Sequence, residues 1–193
     1  MARTKEFDQE AILDKAVDLF WYKGYHASSM QDVVDALGLS RSSIYDTFGD
    51  KRKLYIAALE RYRAQAAGGL IDMVNQSKNT MVSLEEIFKM LVHDSFTDKL
   101  PKGCFMVNST VELAPHDEEI DKIVRENMQD IENAFFQLIL KGQDSGEISK
   151  DKNPRAIARF LFNTISGLRI AAKSGVKQDI YNDIVSVALG GIK

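Results

Sequence analysis

Hydrophobic and polar positions alternate at helical spacing along almost the whole chain. Ile12, Leu13, Ala16, Val17, Leu19 and Phe20 form an apolar stripe, which predicts a first helix over Phe7–Lys23 closed by Gly24. Met30, Val33, Val34 and Leu37 recur with a 3.6-residue period in the next segment. Ser29 stands at its N-cap and Asp32 at its third helical position, the pairing of a capping box. Gly38 closes this helix, because glycine tolerates the left-handed backbone there. Leu39 plugs the turn and Ser40 caps a third helix over Arg41–Thr47. In that helix Ile44 and Phe48 are expected to point inward, leaving Arg41, Ser42, Tyr45 and Asp46 on the opposite side. Gly49-Asp50 breaks the chain again, with Asp50 as the next cap.

Lys51 to about Ser77 reads as one long helix carrying Leu54, Ala57, Ala58, Tyr62, Leu70, Met73 and Val74. At 1.5 Å per residue it is about 40 Å long, and Gly68-Gly69 marks an expected kink in its middle. A polar loop at 77–83 follows, and Ser83 with Glu86 predicts a capping box opening a helix to about Phe96. After a break at Lys99–Gly103, the apolar segment Gly103–Pro115 predicts a buried central helix. Asp117–Gly142 is amphipathic, with Ile120, Ile123, Val124, Met128, Ile131, Phe135, Leu138 and Ile139 on its apolar face. The polar stretch 143–152 reads as a loop. Asn153-Pro154, an N-cap followed by proline at the first helical position, opens a helix over Pro154–Ser174, and Gln178–Leu189 is the last. The chain is therefore expected to be all-α, with about nine helices.

Two helices joined by a short glycine turn, the second short and polar on its outer face, make a helix-turn-helix. The second spans about 12 Å, which suits a major groove about 12 Å wide. The same caps and spacing also serve a purely structural three-helix corner, so the pattern alone leaves both readings open.

Specific residues favour the first. Ala16, Phe20, Gly24, Tyr25, Ser28, Ser29, Val33, Ala36, Leu37, Gly38, Leu39 and Ser40, then Ser43, Ile44, Tyr45, Phe48, Lys51, Leu54 and Ala58, resemble the N-terminal domain of the tetracycline-repressor (TetR) family of transcription regulators. The family pattern S-K/R-G-S-L-Y-x-x-F is similar to SRSSIYDTF here, with Ser42 replacing the usual glycine and Asp46 and Thr47 standing where His or Tyr are frequent. The match is close over about the first 60 residues and holds in layout beyond. It implies a helix-turn-helix domain over residues 1–53 and a helical ligand-binding and dimerisation domain over 54–193. It also implies that Tyr45 and Lys51 hold DNA phosphates. Lys51 sits in the first turn of its helix, where the helix dipole assists anion binding. Arg41 is the candidate for guanine readout, since its guanidinium can bond O6 and N7 together. Ser29, Ser42, Ser43 and Thr47 are further candidates for contacts to bases or phosphates.

Charge complicates this picture. Over all 193 residues the formal net charge is −3, the wrong sign for a general nucleic-acid binder. Acidic and basic residues balance up to about Arg63, and the acidic excess lies beyond. Arg3, Lys5, Lys23, Arg41, Lys51, Arg52 and Lys53 are expected to form a local basic patch, giving strongly salt-dependent binding. Arg3 and Lys5 form a short basic arm before the first helix.

In the second domain Cys104, Asn108 and Glu112 fall at i, i+4 and i+8 and share one helix face. Buried polar groups need partners, so this stripe is either one wall of a ligand pocket or a seam satisfied by neighbouring helices. Phe88, Leu91, Phe105, Phe135 and Phe160 are candidate apolar walls, and each serves equally as plain core. The family resemblance implies dimerisation through the last two helices, about 154–174 and 178–189; the sequence itself shows both to be apolar on more than one face. The Gly103–Pro115 stretch also resembles a branch of the family with a similar Gly-Cys helix, in which some relatives use a cysteine to sense electrophiles or oxidants; that resemblance makes Cys104 a candidate sensor.

Other classes find little support. The chain has no glycine-rich phosphate loop, no G-x-S-x-G and no H-E-x-x-H, and His26, His93 and His116 are far apart. His116 with Asp117, Glu118 and Glu119 reads as a helix start after Pro115 rather than a metal site. No catalytic residue, cofactor or metal is expected. There is no apolar run near 18 residues, the MARTKEFDQE start does not resemble a signal peptide, and one cysteine excludes an internal disulfide and fits a reducing cytoplasm. The sequence thus points to a dimeric repressor that binds an inverted-repeat DNA operator and is released by a small molecule in its C-terminal domain. A thiol-responsive regulator using Cys104 is one alternative, and an interaction protein that keeps the helix-turn-helix shape without binding DNA is another.

Overall fold

The computed structural model describes residues 7–97 and 102–192. Its helices are α1 (Gln9–Lys23), α2 (Met30–Leu37), α3 (Arg41–Phe48), α4 (Lys51–Gln76), α5 (Thr80–Thr97), α6 (Phe105–Glu112), α7 (Glu118–Asp144), α8 (Pro154–Lys173) and α9 (Gln178–Gly190). A 3-10 turn, Ala114–His116, links α6 to α7, and no strand occurs among the described residues. Chain contacts fall into two units, Met1–Ala64 and Gln65–Lys193.

Local capping sets the first unit. The Asp8 carboxylate accepts the amides of Glu10 and Ala11 at the start of α1. Ser29 and Asp32 form the expected capping box on α2, Ser29 Oγ accepting the Asp32 N–H at 3.1 Å and Asp32 accepting the Ser29 N–H at 2.7 Å. Gly38 closes α2 with φ 68°, a conformation side chains disfavour. Ser40 caps α3 and Asp50 accepts the Lys53 N–H in the first turn of α4. Inside, Phe20, Val33, Leu37, Ile44, Leu54, Tyr55 and Leu59 are fully buried, so the three short helices share one core with the start of α4. Phe48, expected inside, is half-buried. On the rim Arg61 forks onto Asp14, with N–O distances of 2.6 and 2.9 Å, and locks α1 to α4.

In the second unit the apolar faces of α5, α7, α8 and α9 close around Phe88, Leu91, Phe135, Leu138, Leu161, Leu168 and Tyr181. α4 runs as one helix through Gly68 and Gly69, as its spacing predicts. Three expectations change here. α5 starts at Thr80 instead of after Ser83. Asn79 accepts the Val82 N–H at 2.8 Å, while Ser83 is buried and donates to Ser77 Oγ. α6 is shorter than Gly103–Pro115 and only half-buried, with Val111 75% exposed. α7 continues past Gly142 to Asp144, and that glycine serves close packing rather than termination: a Cβ there would lie 2.8 Å from Thr80 Cγ2. No helix among the described residues is long and apolar enough to cross a membrane.

Candidate nucleic-acid interface

The helix α3 has two unlike faces. Ile44 is fully buried and anchors the helix, while Arg41, Ser42, Tyr45 and Asp46 are exposed, Tyr45 by 43%. The hydroxyls on this face are used locally. Ser42 Oγ and Ser43 Oγ each lie 2.9 Å from Ser40 Oγ, and Thr47 donates to the Ser43 carbonyl at 2.7 Å. Arg41 and Tyr45 carry no such internal bonds among the described residues. Of the expected DNA-binding side chains, these two are the ones projecting outward and uncommitted.

The cations are distributed differently from the expected patch. Arg3 and Lys5 lie outside the described residues. Lys23 is ion-paired with Asp32 at 2.7 Å. That pairing, with hydrogen bonds from the Ser29 hydroxyl and amide, holds the Asp32 carboxyl well below the usual carboxylate range. Ser29 is exposed, but its hydroxyl serves this capping box. The Lys51 ammonium turns back onto the protein. It donates to the carbonyls of Tyr25 at 2.8 Å and Ser28 at 2.6 Å, and lies 4.1 Å from the centroid of the Tyr25 ring. Arg52 is half-buried and Lys53 exposed. The positive charge open to a partner is therefore concentrated at Arg41 and Lys53. Sequence reasoning missed Tyr25 and Ser28 as the seat of Lys51; the signal was faint, an aromatic residue just after the glycine that ends α1.

The candidate ligand-binding residues fall into three groups. Phe88, Leu91, Phe105 and Phe135 are buried, and all but Phe105 belong to one core cluster. Cys104, Asn108 and Glu112 are half-buried on or beside α6. Cys104 occupies the N-cap position without a side-chain capping bond, and the Asn108 amide donates to the Lys102 carbonyl, just before α6, at 3.1 Å. Phe160 stands apart, 49% exposed on α8. Ile170 on α8 and Ile180, Ile184 and Val187 on α9 are also exposed apolar residues. Asn127, buried on the apolar face of α7, is a polar core position that the sequence pattern did not flag.

The model of the tetR family of bacterial regulatory proteins matches residues 12–58, and that of the tetracyclin repressor-like C-terminal domain matches 81–182. An uncharacterised HTH-type transcriptional regulator of Bacillus subtilis, YezE, is 31% identical over 190 residues, covering 98% of each chain. The HTH-type transcriptional repressor ComR of Escherichia coli is 31% identical over 188 residues, covering 97% of this chain and 90% of that one. Among solved structures, a cysteine mutant of the TetR family regulator CifR complexed with 26-bp double-strand operator DNA superposes with a TM-score of 0.88. It is 23% identical, and the match covers both chains in full.

Proposed function

This chain belongs to the TetR family of bacterial regulatory proteins and is a DNA-binding transcriptional regulator rather than an enzyme; from that premise we propose a homodimeric repressor that leaves its operator when a small molecule occupies the C-terminal domain. The observation that carries the DNA-reading part is the outward face of α3, where Arg41 and Tyr45 project without internal partners. Arg41 reads a base, with guanine the best match to its fork. Tyr45 holds a phosphate and so fixes position without specifying sequence. Ser42, Ser43 and Thr47 support the helix first and touch DNA second. The DNA-binding unit takes in the start of α4, to about Ala64, and the remainder carries ligand binding and dimerisation.

Dimerisation through α8 and α9 is supported by their exposed apolar side chains. Ile180, Ile184 and Val187 follow i, i+4, i+7 along α9, and Val187 is 76% exposed in the single chain. A stripe of this kind fits a helix-helix seam. Two heads then read half-sites of an inverted repeat on one DNA face. The effector binds among Phe88, Leu91, Phe105 and Phe135, with the polar edge of α6 at Cys104, Asn108 and Glu112 supplying orientation. It acts only if it binds the released state more tightly than the DNA-bound state. As a regulator working on DNA, the protein acts in the cytoplasm.

Selection of duplexes from a random pool by the purified protein tests this reading. Enrichment of an inverted repeat is the expected result; no enrichment at low salt by folded protein would overturn it.

A further inference from the structure

We infer that Lys51 is a positioning residue: it serves DNA binding by fixing the turn between α1 and α2, and its charge does not hold a phosphate. The inference rests on the reading of α2 and α3 as the DNA-binding element. An ammonium has three donors and no acceptor. Two of them point at main-chain carbonyls, Tyr25 at 2.8 Å and Ser28 at 2.6 Å. The remaining side of the ammonium lies against the Tyr25 ring, 4.1 Å from its centroid, where the ring's negative face attracts a cation. The half-buried ammonium thus directs its donors and charge onto its own protein.

The place it grips matters. Ser28 is buried and immediately precedes Ser29, the N-cap of α2. Its hydroxyl donates to the Gly24 carbonyl at 2.6 Å, and its amide to the Tyr25 carbonyl. The Tyr25 ring packs edge-on against Tyr55 of α4 at 5.2 Å and tilted against Phe20 of α1 at 6.5 Å. Lys51 therefore joins the first turn of α4 to the chain entering α2. The direction of α2 decides where α3, and with it Arg41 and Tyr45, is held.

The test is the salt dependence of operator affinity in the full-length protein, using the duplex obtained by selection. Each phosphate contact contributes about 0.9 to the slope of log K against log salt. Lys51→Met keeps the stem and removes the donors. The expected result is binding weaker by about tenfold or more, the scale of one lost charge-assisted hydrogen bond, with the slope unchanged. Faster amide exchange confined to 25–29 should accompany it. Lys51→Gln, which restores an N–H but no charge, should recover part of the affinity, and it serves also if the methionine variant folds poorly. A slope shallower by about 1.8, one phosphate for each of the two heads, with Gln no better than Met, would overturn the inference in favour of a phosphate contact. So would unchanged affinity in both variants. Failure of the underlying reading looks different: Arg41→Ala and Tyr45→Ala would then leave operator affinity intact.

Discussion

Ser43 Oγ lies 2.9 Å from Ser40 Oγ, within the cap of α3. This contact, with those of Ser42 and Thr47, draws the small hydroxyls of the helix into its own backbone and cap. Arg41 and Tyr45 are left as the side chains free to meet another molecule. On this eight-residue helix Arg41 and Tyr45 are thus the two long side chains that project outward without internal bonds among the described residues.

Arg41→Ala and Tyr45→Ala should both weaken operator binding while leaving the melting temperature near wild type, because neither side chain packs in the core. The two should differ in kind. Losing a bidentate arginine-guanine contact costs about 1–3 kcal/mol and relaxes selectivity at one base pair. Loss of a phosphate contact at Tyr45 should weaken binding to all duplexes alike. Affinities for the selected site and for single-base variants of it separate these outcomes.

The N-terminus of α5 carries a pH dependence. Glu147 accepts the Thr80 amide at 3.2 Å and the Met81 amide at 3.0 Å, and the Met81 bond chiefly lowers its pKa below the ordinary 4.5. A depressed carboxylate pKa contributes stability that is complete above the unfolded value and is lost as pH falls through the folded value. Wild type should therefore be more stable than Glu147→Gln at neutral pH, and the gap in melting temperature should narrow as pH falls below the ordinary 4.5 and through the lowered folded value. A gap that persists or widens in acid would show that the carboxylate charge is not what caps α5.

Ile184→Glu or Val187→Glu on α9 should yield a folded monomer. Both side chains are substantially exposed in the single chain, so the substitutions cost little internally, whereas a charge buried in a dimer seam is strongly unfavourable. Sedimentation equilibrium checks the mass, and the monomer should lose most of its affinity for the inverted repeat. A dimer of unchanged strength would place the subunit interface elsewhere.

What the sequence made legible was whatever is decided within a few residues. Ser29, Asp32, Gly38, Ser40 and Asn153 set helix ends through bonds spanning two to four positions, and each stands at the end expected of it. Ser83 with Glu86 had the same local form, yet Asn79 caps the helix four residues before Ser83. A Glu147 carboxylate from 67 residues away completes that start. No local pattern reports a partner at that distance. Lys51 is the same lesson at the candidate site. Its position in a first helical turn suggests a phosphate, while its partners Tyr25 and Ser28 lie 26 and 23 residues back. Lys23, counted among the open cations, is likewise claimed by Asp32. Phe160 looked like pocket lining because periodicity shows that a residue is apolar without showing whether the surface it meets is its own core or another subunit.

The central claim is that two copies of α3 read DNA together from one dimer. It is tested most directly by measuring affinity for the selected inverted repeat against the same duplex with about five base pairs inserted between half-sites, half a helical turn. The insertion should place the half-sites on opposite faces and lower affinity by about 100-fold, toward non-specific binding. Equal affinity for both duplexes would contradict it.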